Sequence, residues 1–233
     1  MYQKEEHLTT KYCNAYRELN LTSLALLCQE AAIEDVERMG YDRSFTLDRG
    51  LLWVIAKQHF DIIRMPKYEE KIFVQTYPGK RLGPFFLRHY RIMDVGHNLL
   101  IKGVSVWCLI QADTRSITTL EKANIQIPIE AMGGELDFPK GLPPFEGGIQ
   151  TSIEAKYSMC DVNGHLNNTK YFDFTCDLIP LDYQKNNVPV SVDIHYKKEI
   201  PLGTKVEFSY GKDGDGYRFS GTNFDLKINY RSR

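Results

Sequence analysis

The densest group of chemically capable residues is Asp161-Val162-Asn163-Gly164-His165-Leu166-Asn167-Asn168, followed downstream by Glu199 in Tyr196-Lys197-Lys198-Glu199-Ile200-Pro201. A carboxylate, an amide and an imidazole lie at alternate positions. An extended stretch would turn Asp161, Asn163 and His165 to one side. The helix pattern that begins after Asn167 leaves free backbone N–H groups at its start, around residues 166–168, which can bind an oxyanion. Together these groups fit acyl transfer. The plainer reading is also open, because Asp and Asn favour turns and helix caps and Gly supplies unusual dihedrals. Glu199 can likewise be a strand-end carboxylate facing the site or one member of a solvated charge cluster.

These residues need elements to hold them. A first helix is expected after Asn20, with Leu24, Leu27, Cys28 and Ala31 on one face, Asn20 as its cap and Gly40 as its stop. Strands are expected at 51–63, 72–77, 85–93 and 99–110, separated by Pro66, Gly79, Gly83 and Gly96. Residues 116–148 hold four prolines and two Gly-Gly pairs and read as a linker, with one short ordered piece near Ile129. The same order then returns. A strand at 149–157 leads to a helix with Tyr171, Phe174, Thr175 and Leu178 on one face, ended by Pro180. Val190, Val192, Ile194 and Tyr196 alternate with polar residues in the next strand, and strands at 206–210, 217–220 and 224–230 follow. The chain therefore reads as a duplicated α+β unit, one helix against an antiparallel sheet, with the two copies joined sheet edge to sheet edge. The expected division is 1–117, a linker at 118–148, and 149–233.

Bulk properties remove several function classes. The chain has 233 residues and a formal net charge of -1, without the broad basic footprint of a nucleic-acid binder. Five scattered cysteines without a CxxC pair make neither a disulfide framework nor a zinc site. No GxSxG elbow, P-loop or GxGxxG occurs, and no metal or organic cofactor is expected. Residues 1–10 are polar and lack a signal-peptide core, and no apolar run is long enough to span a membrane, so a cytoplasmic protein with no membrane partner is expected.

Residues 161–171, Asp-Val-Asn-Gly-His-Leu-Asn-Asn-Thr-Lys-Tyr, resemble the active-site motif of the acyl-acyl-carrier-protein thioesterases, a family of plant plastid enzymes and bacterial relatives. Tyr196-Lys197-Lys198-Glu199 is similar to the family's second catalytic segment. Leu52-Trp53-Val54, Ser105-Val106-Trp107 and Thr114-Arg115 resemble segments of its first half. The resemblance runs in order from about residue 9 to about residue 210. It implies a tandem double hot-dog fold, each half one long helix against an antiparallel sheet, whose N-terminal half shapes the acyl pocket and whose C-terminal half carries the catalytic residues. Around Arg17 to Thr22 the first half has nothing like the Asp-x-Asn-x-His cluster. Carried over residue by residue, the catalytic set is Asp161, Asn163, His165 and Glu199. Plant members often have Cys directly after the catalytic Glu; here it is Ile200, so a Cys–His mechanism is unavailable there.

The implied activity is hydrolysis of fatty acyl-acyl carrier protein, and the implied partner is a carrier protein bearing a 4'-phosphopantetheine-linked acyl chain. A homodimer remains open. Leu24, Leu27, Cys28, Trp53 and Ile55 are candidates for the acyl tunnel but equally for ordinary core. Lys80, Arg81, Arg115, Lys197 and Lys198 are candidates for a basic docking surface. An acyl-CoA thioesterase and a non-catalytic acyl-binding regulator are the alternatives on the same fold.

Overall fold

The structure is a computed structural model that describes residues 1–233. Its first half runs β1 (Tyr2–His7), α1 (Leu21–Arg38), α2 (Arg43–Leu47), β2 (Leu51–Ile62), β3 (Lys71–Leu82), β4 (Phe85–Asp94) and β5 (Leu99–Gln111). A short strand β6 (Ile117–Thr118) and a helical turn α3 (Leu120–Ala123) follow. The second half runs β7 (Ile149–Glu154), α4 (Lys170–Asp177), α5 (Leu181–Asn186), β8 (Asn187–Tyr196), β9 (Lys205–Asp213), β10 (Gly216–Gly221) and β11 (Phe224–Ser232). A 3-10 turn precedes the first helix of each half, at Thr10–Tyr12 and Tyr157–Met159.

The strands form one sheet in the order β1-β3-β4-β5-β2-β8-β11-β10-β9-β7, with β6 beside β5. Read from the middle outward, the two halves have the same order. They join where β2 pairs antiparallel with β8: Lys57 faces His195, His59 faces Asp193 and Asp61 faces Ser191. The His59–Asp193 pair lies at the pseudo-two-fold centre of that seam. The edges that two separate sheets would expose are thereby paired with each other.

One core of 35 buried residues crosses both halves, uniting Leu24, Leu27 and Cys28 of α1 with Phe60, Tyr90 and Ile101 of the first sheet half and Tyr171, Phe174, Val192, Ile194 and Phe224 of the second. Asn20 caps α1 by accepting from the Ser23 N–H at 2.6 Å, and Gly40, at φ 88, follows its end. In that left-handed region a residue without Cβ has no steric penalty. The second helix is much shorter than the first, 8 residues against 18, because Pro180 blocks continuation and the chain restarts as α5. β1 was not legible in the sequence: Tyr2–His7 is a polar edge strand with no apolar alternation.

The ordered piece expected near Ile129 lies instead at Leu120–Ala123, where Thr119 caps α3; Ile129 is exposed and outside any helix or strand. The rest of this segment is a strap across the face of the sheet opposite the helices. Lys102 Nζ donates to Gly134 O at 3.0 Å, and Lys57 Nζ to Pro139 O at 3.1 Å. Arg218 Nη2 donates to Pro143 O at 2.6 Å. Leu136 and Phe138 pack on Leu87, Val104 and Val106.

Candidate active site

Residues 160–167 form a hairpin-like loop between the 3-10 turn and α4, not an extended stretch. Cys160 bridges Leu166, and His165 bridges Pro201. Gly164 N donates to Asp161 O at 3.0 Å, and Asp161 N to His165 O at 2.9 Å. The Asp161 carboxylate turns the chain by accepting from the Asn163 N–H at 2.8 Å, an Asx turn, and Gly164 takes φ 77. The expectation that alternation would place Asp161, Asn163 and His165 on one side is therefore corrected. The turn-forming chemistry of Asp and Gly prevails over the strand period.

The structure brings His165 and Glu199 together, with Nε2 3.6 Å from Oε2. Glu199 follows β8 and is anchored through its neighbour: Ile200 is fully buried, and its carbonyl accepts from Leu166 N at 2.8 Å. Asn223 Nδ2 also donates to Glu199 O at 3.3 Å. No side-chain hydrogen bond links Asp161 or Asn163 to His165 or Glu199; Asn163 is exposed, and Asp161 serves its own loop. His165 Nδ1 is buried without a hydrogen-bond partner. An unsatisfied buried polar atom costs about 1–3 kcal/mol, which makes such an atom a marker of function when it sits in a polar loop. The other unpartnered buried nitrogens, on Trp53, His89, His195 and Arg218, lie outside this loop.

Two features reach the site from elsewhere. Arg115, in the turn after β5, places Nη1 3.3 Å from Glu199 Oε1. Its backbone is pinned by Arg115 N to Gln111 O at 3.0 Å and by the Thr114–Ser116 hydroxyl pair at 2.7 Å, and it adopts φ 56. Sequence reasoning placed Arg115 on a docking surface; only the three-dimensional structure puts it on the carboxylate. Across the seam, the Tyr196 hydroxyl meets Gln58 Oε1 and Asn168 O, each at 2.9 Å. Tyr171 packs edge-on against Tyr196, and burial, then the Glu199 charge, raises its phenol well above the ordinary range.

Of the N–H groups expected to hold an oxyanion, two are already used. Leu166 N donates to Ile200 O, and Asn167 N to Met159 O at 2.9 Å; only the Asn168 N–H remains without a partner. Cys160 packs against the main core. Leu24, Leu27 and Cys28 are ordinary core, as is Ile55 at 2% exposed, and Trp53 packs edge-on against Phe86 in a separate cluster. Among the basic candidates, Arg81 is held by Glu121 and Lys197 by Asp225, whereas Lys80 and Lys198 are exposed.

The first half repeats the loop. Arg17 N donates to Asn14 O at 3.0 Å, Asn14 N to Glu18 O at 2.8 Å, and Leu19 N to Pro66 O at 2.8 Å, while the Asn14 side chain accepts from Tyr16 N at 2.9 Å. Tyr68 N donates to Arg17 O at 2.9 Å, as Leu202 N does to Gly164 O at 3.0 Å. Glu18 thus occupies the position of His165, and Met65 that of Glu199. A cavity of about 80 Å³ lies at this first loop, lined among others by Asn14, Glu18, Met65 and Arg233. Its volume does not make it the chemical centre, because it has lost both the imidazole and the strand-end carboxylate.

The seam, the shared core and the repeated loop define a tandem double hot-dog protein in which only the second loop pairs an imidazole with a carboxylate. Residues 1–127 match the acyl-ACP thioesterase N-terminal domain and residues 144–231 the acyl-ACP thioesterase C-terminal domain; the chain belongs to the acyl-ACP thioesterase family. It is 23% identical over 180 residues to a palmitoyl-acyl carrier protein thioesterase of Cuphea hookeriana, covering 72% of this chain and 43% of that protein. To an oleoyl-acyl carrier protein thioesterase of Arabidopsis thaliana it is 22% identical over 218 residues, covering 84% of this chain and 59% of that one. The chain thus spans about half the length of these plant relatives. Its fold is similar to that of an acyl-ACP thioesterase from Bacteroides thetaiotaomicron, with a TM-score of 0.84, 18% identity, and 98% and 97% of the two chains covered. It is also similar to a 12:0-ACP thioesterase from Umbellularia californica, with a TM-score of 0.82, 16% identity, and 100% and 97% covered. No helix is long and apolar enough to cross a membrane.

Proposed function

We propose that this chain hydrolyses the thioester of fatty acyl-acyl carrier protein, releasing free fatty acid and the holo carrier protein. The observation that carries this reading is the His165–Glu199 pair at 3.6 Å, with an unpartnered His165 nitrogen, beside a helix entry where the Asn168 N–H is free. The proposed division is 1–117 for the acyl-pocket half, 118–148 for the strap and 149–233 for the catalytic half.

In the proposed reaction the His165–Glu199 pair accepts a proton from water as its oxygen attacks the thioester carbon. The Asn168 N–H stabilises the developing oxyanion. The C–S bond then breaks, and the departing thiolate takes up the proton. A thiolate is a good leaving group and needs little acid assistance. Asp161, whose Oδ1 is already engaged by Asn163 N, holds the loop, and the exposed Asn163 amide orients the thioester. General-base help of this kind is worth about 100- to 10,000-fold.

The test is free-thiol release from a chain-length panel of acyl carrier protein thioesters beside matched acyl-CoA. Turnover on the carrier protein series, with a loss of about 100-fold or more in Glu199→Ala and a loss in Asp161→Ala through the loop it holds, is the expected result. Absence of turnover on every carrier protein substrate would overturn the reading. In a single turnover in labelled water, label in Asp161 would establish direct carboxylate attack with water entering on the Asp161 side of the anhydride, and label in the fatty acid alone leaves water activation as the simpler account.

A further inference from the structure

Tyr157, Val162 and Leu202 are large apolar side chains left in solvent, 88%, 77% and 50% exposed. They belong to one small assembly around the site. The Tyr157 carbonyl accepts from Cys160 N at 3.3 Å, Val162 lies in the loop, and Leu202 N is bonded to Gly164 O. Single exposed apolar residues are ordinary, but several gathered at one place mark a contact surface. The repeated loop is an internal control. There the corresponding residues are Thr10, Ala15 and Tyr68, and only Tyr68, 38% exposed, is a large apolar residue in solvent. The same backbone therefore displays the apolar cluster only where the His165–Glu199 pair is present.

Charge follows the same asymmetry. Lys156 and Lys198 flank the cluster, both exposed and neither in an ion pair. The corresponding residues of the first half are Thr9 and Arg64, and Arg64 is tied to Glu70 at 2.6 Å. Glu154, the acid just before Lys156, lies opposite Lys205 in the β7–β9 ladder. An apolar centre with an unpaired basic rim fits a partner that is acidic and carries its own apolar contact.

We propose that Tyr157, Val162 and Leu202, rimmed by Lys156 and Lys198, form the docking face on which an acidic carrier protein seats while its thioester reaches His165 and Glu199. This rests on the function proposed above and extends it to the partner.

The experiment uses the full chain with two double variants, Y157S/L202S and K156E/K198E. Each is assayed on an acyl carrier protein thioester and on the acyl N-acetylcysteamine thioester of the same chain length, which carries no protein to dock. The expected result is a rise in KM of about tenfold or more on the carrier protein substrate in both variants, with unchanged kinetics on the small thioester. For the parent, KM on the carrier protein should also rise with ionic strength. Equal losses on both substrates, or unchanged carrier protein kinetics, would overturn the proposal. A second measurement does not depend on turnover. Holo carrier protein is titrated into isotopically labelled chain at low salt. Amide shifts gathered at residues 156–164 and 198–203 support the docking face; shifts elsewhere, no shifts, or self-association of the chain that Y157S/L202S abolishes would overturn it. A parent inactive on both thioesters would remove the proposed function, and the titration would still decide the docking face.

Discussion

Residues 13–20 and 160–167 trace nearly the same loop, yet only the second carries the imidazole–carboxylate pair proposed to do chemistry. Both begin after a 3-10 turn, both are closed by the same backbone hydrogen bonds, and both end on an Asn whose side chain accepts a backbone N–H, Asn20 from Ser23 as the cap of α1 and Asn167 from Thr169 in the turn that leads into α4. The differences are in side chains. Where the second loop has His165 with a free nitrogen, the first has Glu18, 7% exposed and bound by both terminal nitrogens of Arg233. Where the second has Glu199, the first has Met65, buried in the core. One copy is saturated by internal bonds and the other is left unsaturated. Duplication supplied the backbone twice, and a few substitutions decide which copy can act on a bound molecule.

That contrast can be broken from either side. The largest effect after loss of the catalytic residues themselves is expected at Arg115, whose side chain and that of Glu199 are 41% and 40% exposed. An exposed pair adds little stability, so its consequence lies in holding the carboxylate. Arg115→Gln should lower kcat on a small acyl thioester about tenfold with KM unchanged, and Arg115→Lys should recover part of the loss. A rise in KM alone would reassign Arg115 to substrate binding. Glu18→Ala should leave turnover intact while costing about 2 kcal/mol, because it strands a partly buried Arg233. Thermal unfolding should show it as a fall in Tm of about 4–8 °C.

The smallest effect is expected at the seam between the copies. His59 lies between Asp193 at 2.8 Å and Asp61 at 3.2 Å. Burial disfavours its charged ring, but the hydrogen bond and charge of Asp193, joined by those of Asp61, outweigh it and raise its pKa above the ordinary 6.5. A raised folded-state pKa adds stability that is fully present below the unfolded value and disappears as pH rises through the folded value. The His59 contribution to the denaturant midpoint should therefore fall as pH rises from about 6 to 8, against the opposite contribution of His89 and His195, whose pKa values burial lowers. His59→Gln should remove that falling part and leave a profile that rises more with pH than the parent's. An equal pH slope in parent and variant would exclude His59 as its source.

Much of this architecture was legible because it rests on periodicity. Asn20, Gly40 and the apolar face of α1 announced that helix, and the alternation from Val190 to Tyr196 announced β8. β1 was missed because its half-buried face carries Tyr2, Lys4 and Glu6, so burial alternates along the strand without an apolar alternation to mark it. The strap was read as a linker because its order comes from contacts such as Lys57 with Pro139 and Arg218 with Pro143, which leave no local pattern. At the site, residue types identified the loop, but not its shape. Asp161 and Gly164 favour a turn over the extended form that alternation suggested. Arg115 could not be assigned to Glu199, since 84 residues separate them and only the joined sheet brings them together.

The central claim is that one of two matching loops carries the reaction. It is tested most directly by thiol release from an acyl carrier protein thioester with His165→Ala and Glu18→Ala measured side by side at equal folded concentration. The account predicts a loss of about 100-fold or more in the first and near-parental turnover in the second. Comparable loss in both, or retention in His165→Ala, would contradict it.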